Sequence, residues 1–146
     1  MIQTSLYDTA NNPLNTIEWA FAATECVHIA SMALSVGTIA MVDFAMLGVG
    51  LRGQSPAKLL RETELLTGVG LVIVISSGMA LFSTDPFRYY YSPDFRLKML
   101  LLLVGCVYNY TIHRWVMSKL VGAISLAIWI AVVFCGLFFG FTAGGY

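Results

Sequence analysis

Long stretches almost free of charged residues dominate this chain and limit what it can fold into. Only 11% of its 146 residues are charged, whereas a soluble domain carries about 25%, and the mean hydropathy is +0.79. A helix of about 20 apolar residues is long enough to cross a bilayer. The pattern predicts four such helices, at about 17–51, 57–83, 95–119 and 120–141. The predicted fold is therefore an all-α, four-transmembrane-helix bundle that forms a single membrane domain.

Basic residues in the short connections predict how the bundle is oriented, because cytoplasmic loops carry an excess of Lys and Arg. Five basic residues lie in or beside the first and third connections, against three around the middle one. The five are Arg52, Lys58, Arg61, Arg114 and Lys119. We therefore expect both termini on the outer side of a bacterial inner membrane, with the protein as a multi-pass component.

Composition and motifs argue against several classes of function. The net charge is zero, with eight basic and eight acidic residues and no basic patch, so we expect no nucleic-acid partner. The three cysteines form no C-x-x-C pair, which argues against zinc-ribbon, thioredoxin-like and c-type haem sites. The sequence contains no nucleophile elbow, zinc-protease motif or phosphate loop. The sequence therefore offers no motif that supports enzymatic activity of the isolated chain, and it does not decide whether the chain is an enzyme.

The first predicted helix carries its ionisable residues on one narrow stripe. At about 100° per residue, Glu25 and Asp43 share a face because they lie eighteen residues apart, and His28 lies about 60° to one side. Ionisable side chains within a span face the bundle interior rather than lipid. The stripe is therefore predicted to line the inside of the bundle.

The second and third helices also present polar and small residues on one side. Lys98, Gly105, Asn109 and His113 fall within about 80° of one another, and Gly105 leaves a notch on that face. The second helix contributes Glu64, followed by Thr67, Gly70 and Gly78. By depth, we expect an outer cluster of Glu25, His28 and Lys98. We also expect an inner cluster of Asp43, Glu64 and His113 with Arg61 or Arg114 nearby.

The two histidines raise the hypothesis of a b-type haem. Ligation of one iron by both is disfavoured, because His28 and His113 are predicted at depths on the order of 10 Å apart. A haem held by His28 on one side, with Lys98 or another group opposite and Gly105 making room, fits the pattern better. His28 is also the candidate ligand for another metal such as copper, although no chelating motif supports copper. Haem ligation would imply electron transfer.

Three functional interpretations remain open. The chain is predicted to be a small subunit of a larger membrane assembly, such as a redox or respiratory complex, with other membrane subunits and lipid as its partners. A purely structural or assembly role without a cofactor is the first alternative, since a buried Glu, His and Lys can satisfy one another. Transport of a proton, a metal or a small solute is the second. Gly136, Gly140 and Gly144 recur every four residues on the fourth helix and favour close helix packing.

Three segments carry a resemblance to known proteins: "ECVHIASMALSVGTIAMVDF", "GLVIVISSGMALF" and "FRLKMLLLLVGCVYNYTIH". They resemble an uncharacterised family of small four-helix bacterial membrane proteins. More distantly, the His on the first helix and the Lys that opens the third are similar to those of the small four-helix protoporphyrinogen oxidases. Copper-resistance membrane proteins share the same general shape. The distant resemblance implies a role for His28 and Lys98 in haem binding.

Overall fold

Four long apolar helices make up most of the structure, a computed structural model that describes residues 9–50 and 53–143, with side chains up to 138. The helices long and apolar enough to cross a membrane are Ala20–Leu47 (α2), Pro56–Phe82 (α3), Pro93–Tyr110 (α5) with its extension Ile112–Trp115 (α6), and Lys119–Ala143 (α7). Two short helices, Pro13–Thr16 (α1) and Pro86–Tyr91 (α4), lie outside the spans. The described residues contain no strand. The all-α, four-span fold is confirmed.

Proline and glycine set the helix ends. All four prolines of the chain lie in the first turn of a helix, where the missing N–H is not needed: Pro13, Pro56, Pro86 and Pro93. Ser92 caps α5 by accepting a hydrogen bond from the backbone N–H of Phe95 at 3.4 Å. Glycine marks the end of a helix as proline marks its start: α2 ends at Leu47 because Gly48 adopts a left-handed conformation with φ of 76°. The predicted end of this helix at Leu51 lies outside the described residues.

The third span is interrupted near its end. Thr111 leaves helical geometry, with φ of −112° and ψ of −86°, and separates α5 from the single turn of α6. The chain then runs through residues 116–118 and enters α7 at Lys119. The predicted continuous helix 95–119 is therefore two helices, and His113 lies on the second of them.

The helices pack in the order α3, α2, α7, α5. α2 packs against both α3 and α7, and α5 packs against α7, whereas α3 and α5 have no comparable interface. Between α3 and α5 runs an open groove, which we call the seam. The core consists of one cluster around Ile39, Leu71, Trp129 and Val132 and a second formed by Val42, Met46 and Leu59. We call the end with α1 and α4 the terminal end, and the end with residues 48–55 and 116–118 the loop end.

Small residues bring α2 and α3 into close contact. A Cβ atom on Gly70 would collide with the Ser35 hydroxyl and would lie 3.2 Å from the Ser31 carbonyl oxygen. The Thr38 and Thr67 hydroxyls lie 2.7 Å apart across the same interface. The Ser35 hydroxyl also donates to a backbone carbonyl of its own helix, so no polar hydrogen is left over. This interface is therefore closely packed.

Candidate functional site

The most completely buried polar side chains among the described residues lie together at the loop end. His113 Nε2 lies 2.6 Å from Asp43 Oδ1, and Ser125 Oγ donates a hydrogen bond of 2.9 Å to Asp43 Oδ2. All three residues are 0% exposed. They come from α2, α6 and α7, and we call them the Asp43 cluster. A single carboxylate therefore ties three helices together.

Local sequence features place each member of the Asp43 cluster. The break at Thr111 reorients α6, and His113 on this turn reaches the carboxylate on α2. Gly122 lets α7 approach α2 closely, because a Cβ atom there would lie 3.0 Å from Met46 Cβ and 3.1 Å from the Asp43 carbonyl oxygen. Ser125 follows one turn later on the same helix and thus reaches Asp43.

The hydrogen-bond pattern defines what the Asp43 cluster can do. Both carboxylate oxygens accept, one from the imidazole and one from the hydroxyl. The Ser125 hydroxyl is thus bonded to the carboxylate and not to the imidazole, so the arrangement differs from a nucleophilic Ser–His–Asp triad, in which His activates Ser. The pair of Asp43 and His113 is instead suited to holding and exchanging a proton.

A cleft of about 20 Å³ leads to the Asp43 cluster from the seam. Its polar lining comes from α3 on one side and from α5 and α6 on the other: Thr63, Glu64, Thr67, Asn109, Tyr110, His113 and Arg114. Glu64 Oε1 and Arg114 Nη1 form an ion pair of 2.7 Å across the cleft. Two buried atoms in the lining, Asn109 Oδ1 and His113 Nδ1, have no hydrogen-bond partner among the described residues. The cleft therefore has unmet hydrogen-bonding capacity.

The terminal end holds the second histidine in a different setting. His28 is half-buried, and its Nδ1 lies 2.9 Å from Ser77 Oγ. When the Ser77 hydroxyl donates to the Ile73 carbonyl oxygen at 2.6 Å, Nδ1 is the donor to Ser77. This tautomer leaves the lone pair on Nε2, which is the form of histidine that ligates metals.

The three residues predicted to form the outer cluster are not all brought together. Lys98 lies within electrostatic reach of His28 and packs against α7, where a Cβ atom on Gly136 would lie 3.2 Å from its Nζ. Glu25 is exposed and forms no ion pair with Lys98. The stripe prediction fails for Glu25 because the face of α2 that is covered at Asp43 is not covered at the level of Glu25.

Glu25 lies instead within electrostatic reach of Tyr89, which belongs to α4 outside the spans. Burial raises the pKa of Tyr89, a hydrogen bond with Thr84 lowers it, and the Glu25 carboxylate raises it further. The phenol therefore stays neutral at physiological pH, and the two residues do not form a charged pair. The ring of Tyr89 also packs with those of Phe82 and Phe95, and the three ring centroids lie 5.2–5.9 Å apart.

The residues proposed as haem ligands do not surround one site. Asp43 lies 15 residues after His28 on α2, or roughly 22 Å along the axis, and His113 contacts Asp43. The notch at Gly105 is filled by α7, since a Cβ atom there would lie 3.2 Å from Ile128 and 3.4 Å from Trp129. α7 thus occupies the notch at Gly105 that was expected to make room for the macrocycle, and the haem interpretation stays a prediction. Within the described part of the chain, no three His, Cys, Asp or Glu side chains are grouped so that they could hold a metal ion.

Sequence reasoning placed Asp43, Glu64, His113 and Arg114 near one another but missed Ser125 and the hydroxyls of α2. Ser125 is the one Ser, Thr, Asn or Gln between Lys119 and Thr142, and a single hydroxyl in an otherwise apolar span was the available signal. Ser31, Ser35 and Thr38 repeat at helical spacing and mark the face that packs against α3.

Comparison with known proteins finds no matching protein-family model, no matching curated protein and no matching solved structure. The resemblance to small four-helix membrane proteins described above therefore stays a prediction, and the chain's own geometry carries the functional argument.

Proposed function

We propose that this chain is a small membrane-embedded subunit of a larger membrane assembly, and that a transmembrane helix of another subunit covers the seam between α3 and α5. The observation that carries the proposal is the seam itself. It is a break in an otherwise close-packed bundle, and polar side chains line it.

Polar atoms in the seam would meet lipid if nothing covered them. Hydrocarbon offers no hydrogen bonds, so exposed polar groups at membrane depth favour association with another helix. Tyr110 is 44% exposed at the seam, and the ion pair of Glu64 and Arg114 is only half-buried. A covering helix would complete the fourth interface of the bundle.

The extent to which each span is buried within the chain also supports association of a partner at the seam. In the third span, 11% of the most apolar window is buried within the chain, compared with 39%, 33% and 28% in the other three. This span therefore offers the largest surface for contacts outside the chain, and it forms one wall of the seam. The proposal takes up the assembly interpretation and not the haem interpretation, because α7 occupies the notch at Gly105.

Site-specific photo-crosslinking in native membranes tests the proposal. A photoreactive amino acid replaces Tyr110 at the seam, and the matched control replaces Met41 on α2, which is equally exposed at 42% and lies at a similar distance from the loop end. We expect Tyr110 to give a crosslinked band with a different membrane polypeptide, several-fold stronger than the band from Met41. Lipid adducts alone at Tyr110, or adducts only between copies of this chain, would contradict the proposal.

A pair of glycine variants tests the seam without a crosslinker. Gly68 lies beside the Tyr110 hydroxyl, with room for an added Cβ atom 3.8 Å from it, whereas Gly37 on α2 has no atom within 4 Å of that position. Gly68→Leu should fill the seam and dissociate the assembly on a native gel after gentle solubilisation. Gly37→Leu should leave it intact. Equal migration of both variants with the wild-type assembly would argue against a partner in the seam.

A further inference from the structure

We infer that the cleft beside the Asp43 cluster binds a water molecule through Asn109 Oδ1 and His113 Nδ1, and that this water exchanges protons between the loop end and the pair of Asp43 and His113. Both residues are more than nine-tenths buried, both line the cleft, and neither atom has a partner among residues 9–50 and 53–138. The inference concerns the interior of this chain and stands whether or not a partner covers the seam.

The size of the cleft and the number of unmet atoms agree. A cavity needs at least about 10–15 Å³ of space for the centre of a water molecule, and a bound water needs two to four polar partners. The cleft provides about 20 Å³ and two orphaned atoms, with the Tyr110 hydroxyl also in its lining. One water molecule therefore fits the cleft.

The donors and acceptors also balance. When His113 donates from Nε2 to Asp43, its Nδ1 is an acceptor, as is Asn109 Oδ1. A single water has two hydrogens and satisfies both atoms. When His113 is doubly protonated, Nδ1–H donates to the same water, which still donates to Asn109. The site thus accommodates both protonation states without moving a side chain.

The proton step follows from this arrangement. A proton that reaches the water passes to His113 Nδ1, and the resulting imidazolium passes its Nε2 proton to Asp43 Oδ1. The pair then consists of a neutral carboxylic acid and a neutral imidazole with Nδ1–H, and it has gained one proton in total. Its net charge changes from −1 to 0. Release back to the water reverses the same transfers.

The groups around Asp43 and His113 do not take part in this proton exchange, because they are either paired with each other or uncharged. Glu64 on α3 and Arg114 on α6 neutralise each other across the cleft at 2.7 Å. α5 contributes the phenols Tyr108 and Tyr110, and α7 contributes the uncharged Ser125. The water provides the route by which the proton arrives.

Magic-angle spinning NMR of the full chain in lipid nanodiscs, labelled with ¹⁵N-histidine, tests the inference. The sequence contains only two histidines, so His28→Gln assigns the His113 ring directly. We expect polarisation transfer from water to His113 Nδ1, which the proposed water contact requires. Addition of Na⁺ at constant pH should leave the ring shifts of His113 unchanged. A sodium-dependent shift would identify a cation site and overturn the inference.

Two variants that block the cleft sharpen this test. Asn109→Leu removes one acceptor, and Leu60→Phe fills the cleft from α3 while leaving the three residues of the Asp43 cluster unchanged. Each should abolish transfer from water to Nδ1 while the Nε2 contact with Asp43 remains. Val107→Leu, at an exposed position on α5, is the matched control and should retain the transfer. Absence of the transfer in the wild-type chain, or its persistence in both blocking variants, would overturn the inference.

Discussion

The two ends of the bundle contain similar chemical groups in opposite states. At the loop end, Asp43, His113 and Ser125 from three different elements are 0% exposed and bonded to one another. At the terminal end, Glu25 is exposed and His28 binds a hydroxyl of α3, while Lys98 forms no ion pair with a described residue. The comparison shows that position on a helix face does not decide whether polar residues form a cluster. Coverage by further helices decides it.

The difference predicts that stability depends on the loop end far more than on the terminal end. Removing one partner of a buried hydrogen bond typically costs about 1–3 kcal/mol, because the other group is left unsatisfied. Substituting an exposed residue typically changes stability by about 0.5 kcal/mol or less. The following experiments are ordered by the size of the expected effect.

The largest effect is expected from Asp43. Asp43→Leu leaves both the His113 imidazole and the Ser125 hydroxyl without their partner. Since each buried group left unsatisfied typically costs about 1–3 kcal/mol, we expect this variant to lower the free energy of unfolding in mixed micelles more than any of the variants that follow. Glu25→Leu, on the same helix, should change it by no more than about 0.5 kcal/mol. Equal losses in the two variants would show that the two ends do not differ as described.

Two glycines on α7 give the second test. Gly122→Ala places a methyl group against the α2 backbone and Met46 Cβ, neither of which can move easily, and should cost about 1–3 kcal/mol. Gly136→Ala meets only the flexible end of Lys98, which can swing aside, so its cost should be well below 1 kcal/mol. Thermal unfolding of both variants under the same detergent conditions checks the order, and a larger loss for Gly136→Ala would refute it.

The third test removes one hydroxyl at each end. Ser125→Ala takes a donor away from a fully buried carboxylate, and we expect a loss of about 1–2 kcal/mol. Ser77→Ala takes away the acceptor of a half-buried imidazole, and membrane hydrogen bonds of this kind average about 0.6 kcal/mol. Chemical unfolding curves of the two variants measure both losses in the free energy of unfolding. If Ser77→Ala proved the more harmful, the Asp43 cluster would not be the main polar tie in the bundle.

The smallest effect is expected from the ion pair that crosses the cleft. Glu64 and Arg114 are half-exposed, and ion pairs at exposed positions contribute little to stability and weaken with added salt. Glu64→Gln should therefore lower stability only at low ionic strength. A loss that persists at high salt would place this pair in the same class as Asp43 and His113.

Much of the fold was predictable because a bilayer leaves few choices. Apolar length set the number of spans, and proline and glycine marked most of their ends. The break at Thr111 was not predictable, since the sequence around it contains neither proline nor glycine. That break separates α5 from α6 and thereby sets the position of His113 relative to Asp43.

The candidate site was predictable only in part. Helical geometry put Asp43 and Glu25 on one face, but it contains no information about which neighbour covers that face at each depth. Asp43 meets α6 and α7, whereas Glu25 meets neither. Gly105 is a second example. Its notch was visible in the sequence, but the residue that fills it, Trp129, lies on a helix whose register the sequence does not specify.

The distance along the chain between Asp43 and its partners has a consequence for biosynthesis. His113 follows Asp43 by 70 residues and Ser125 follows it by 82. At about 5–20 residues per second, the ribosome needs roughly 4–14 s to make the stretch from Asp43 to His113. During this time the first hairpin, α2 and α3, carries an acid with no partner in its own two helices. A chain that stops before His113 keeps that acid without a partner. We therefore expect the truncated hairpin to be unstable in the bilayer and to be cleaved by membrane proteases.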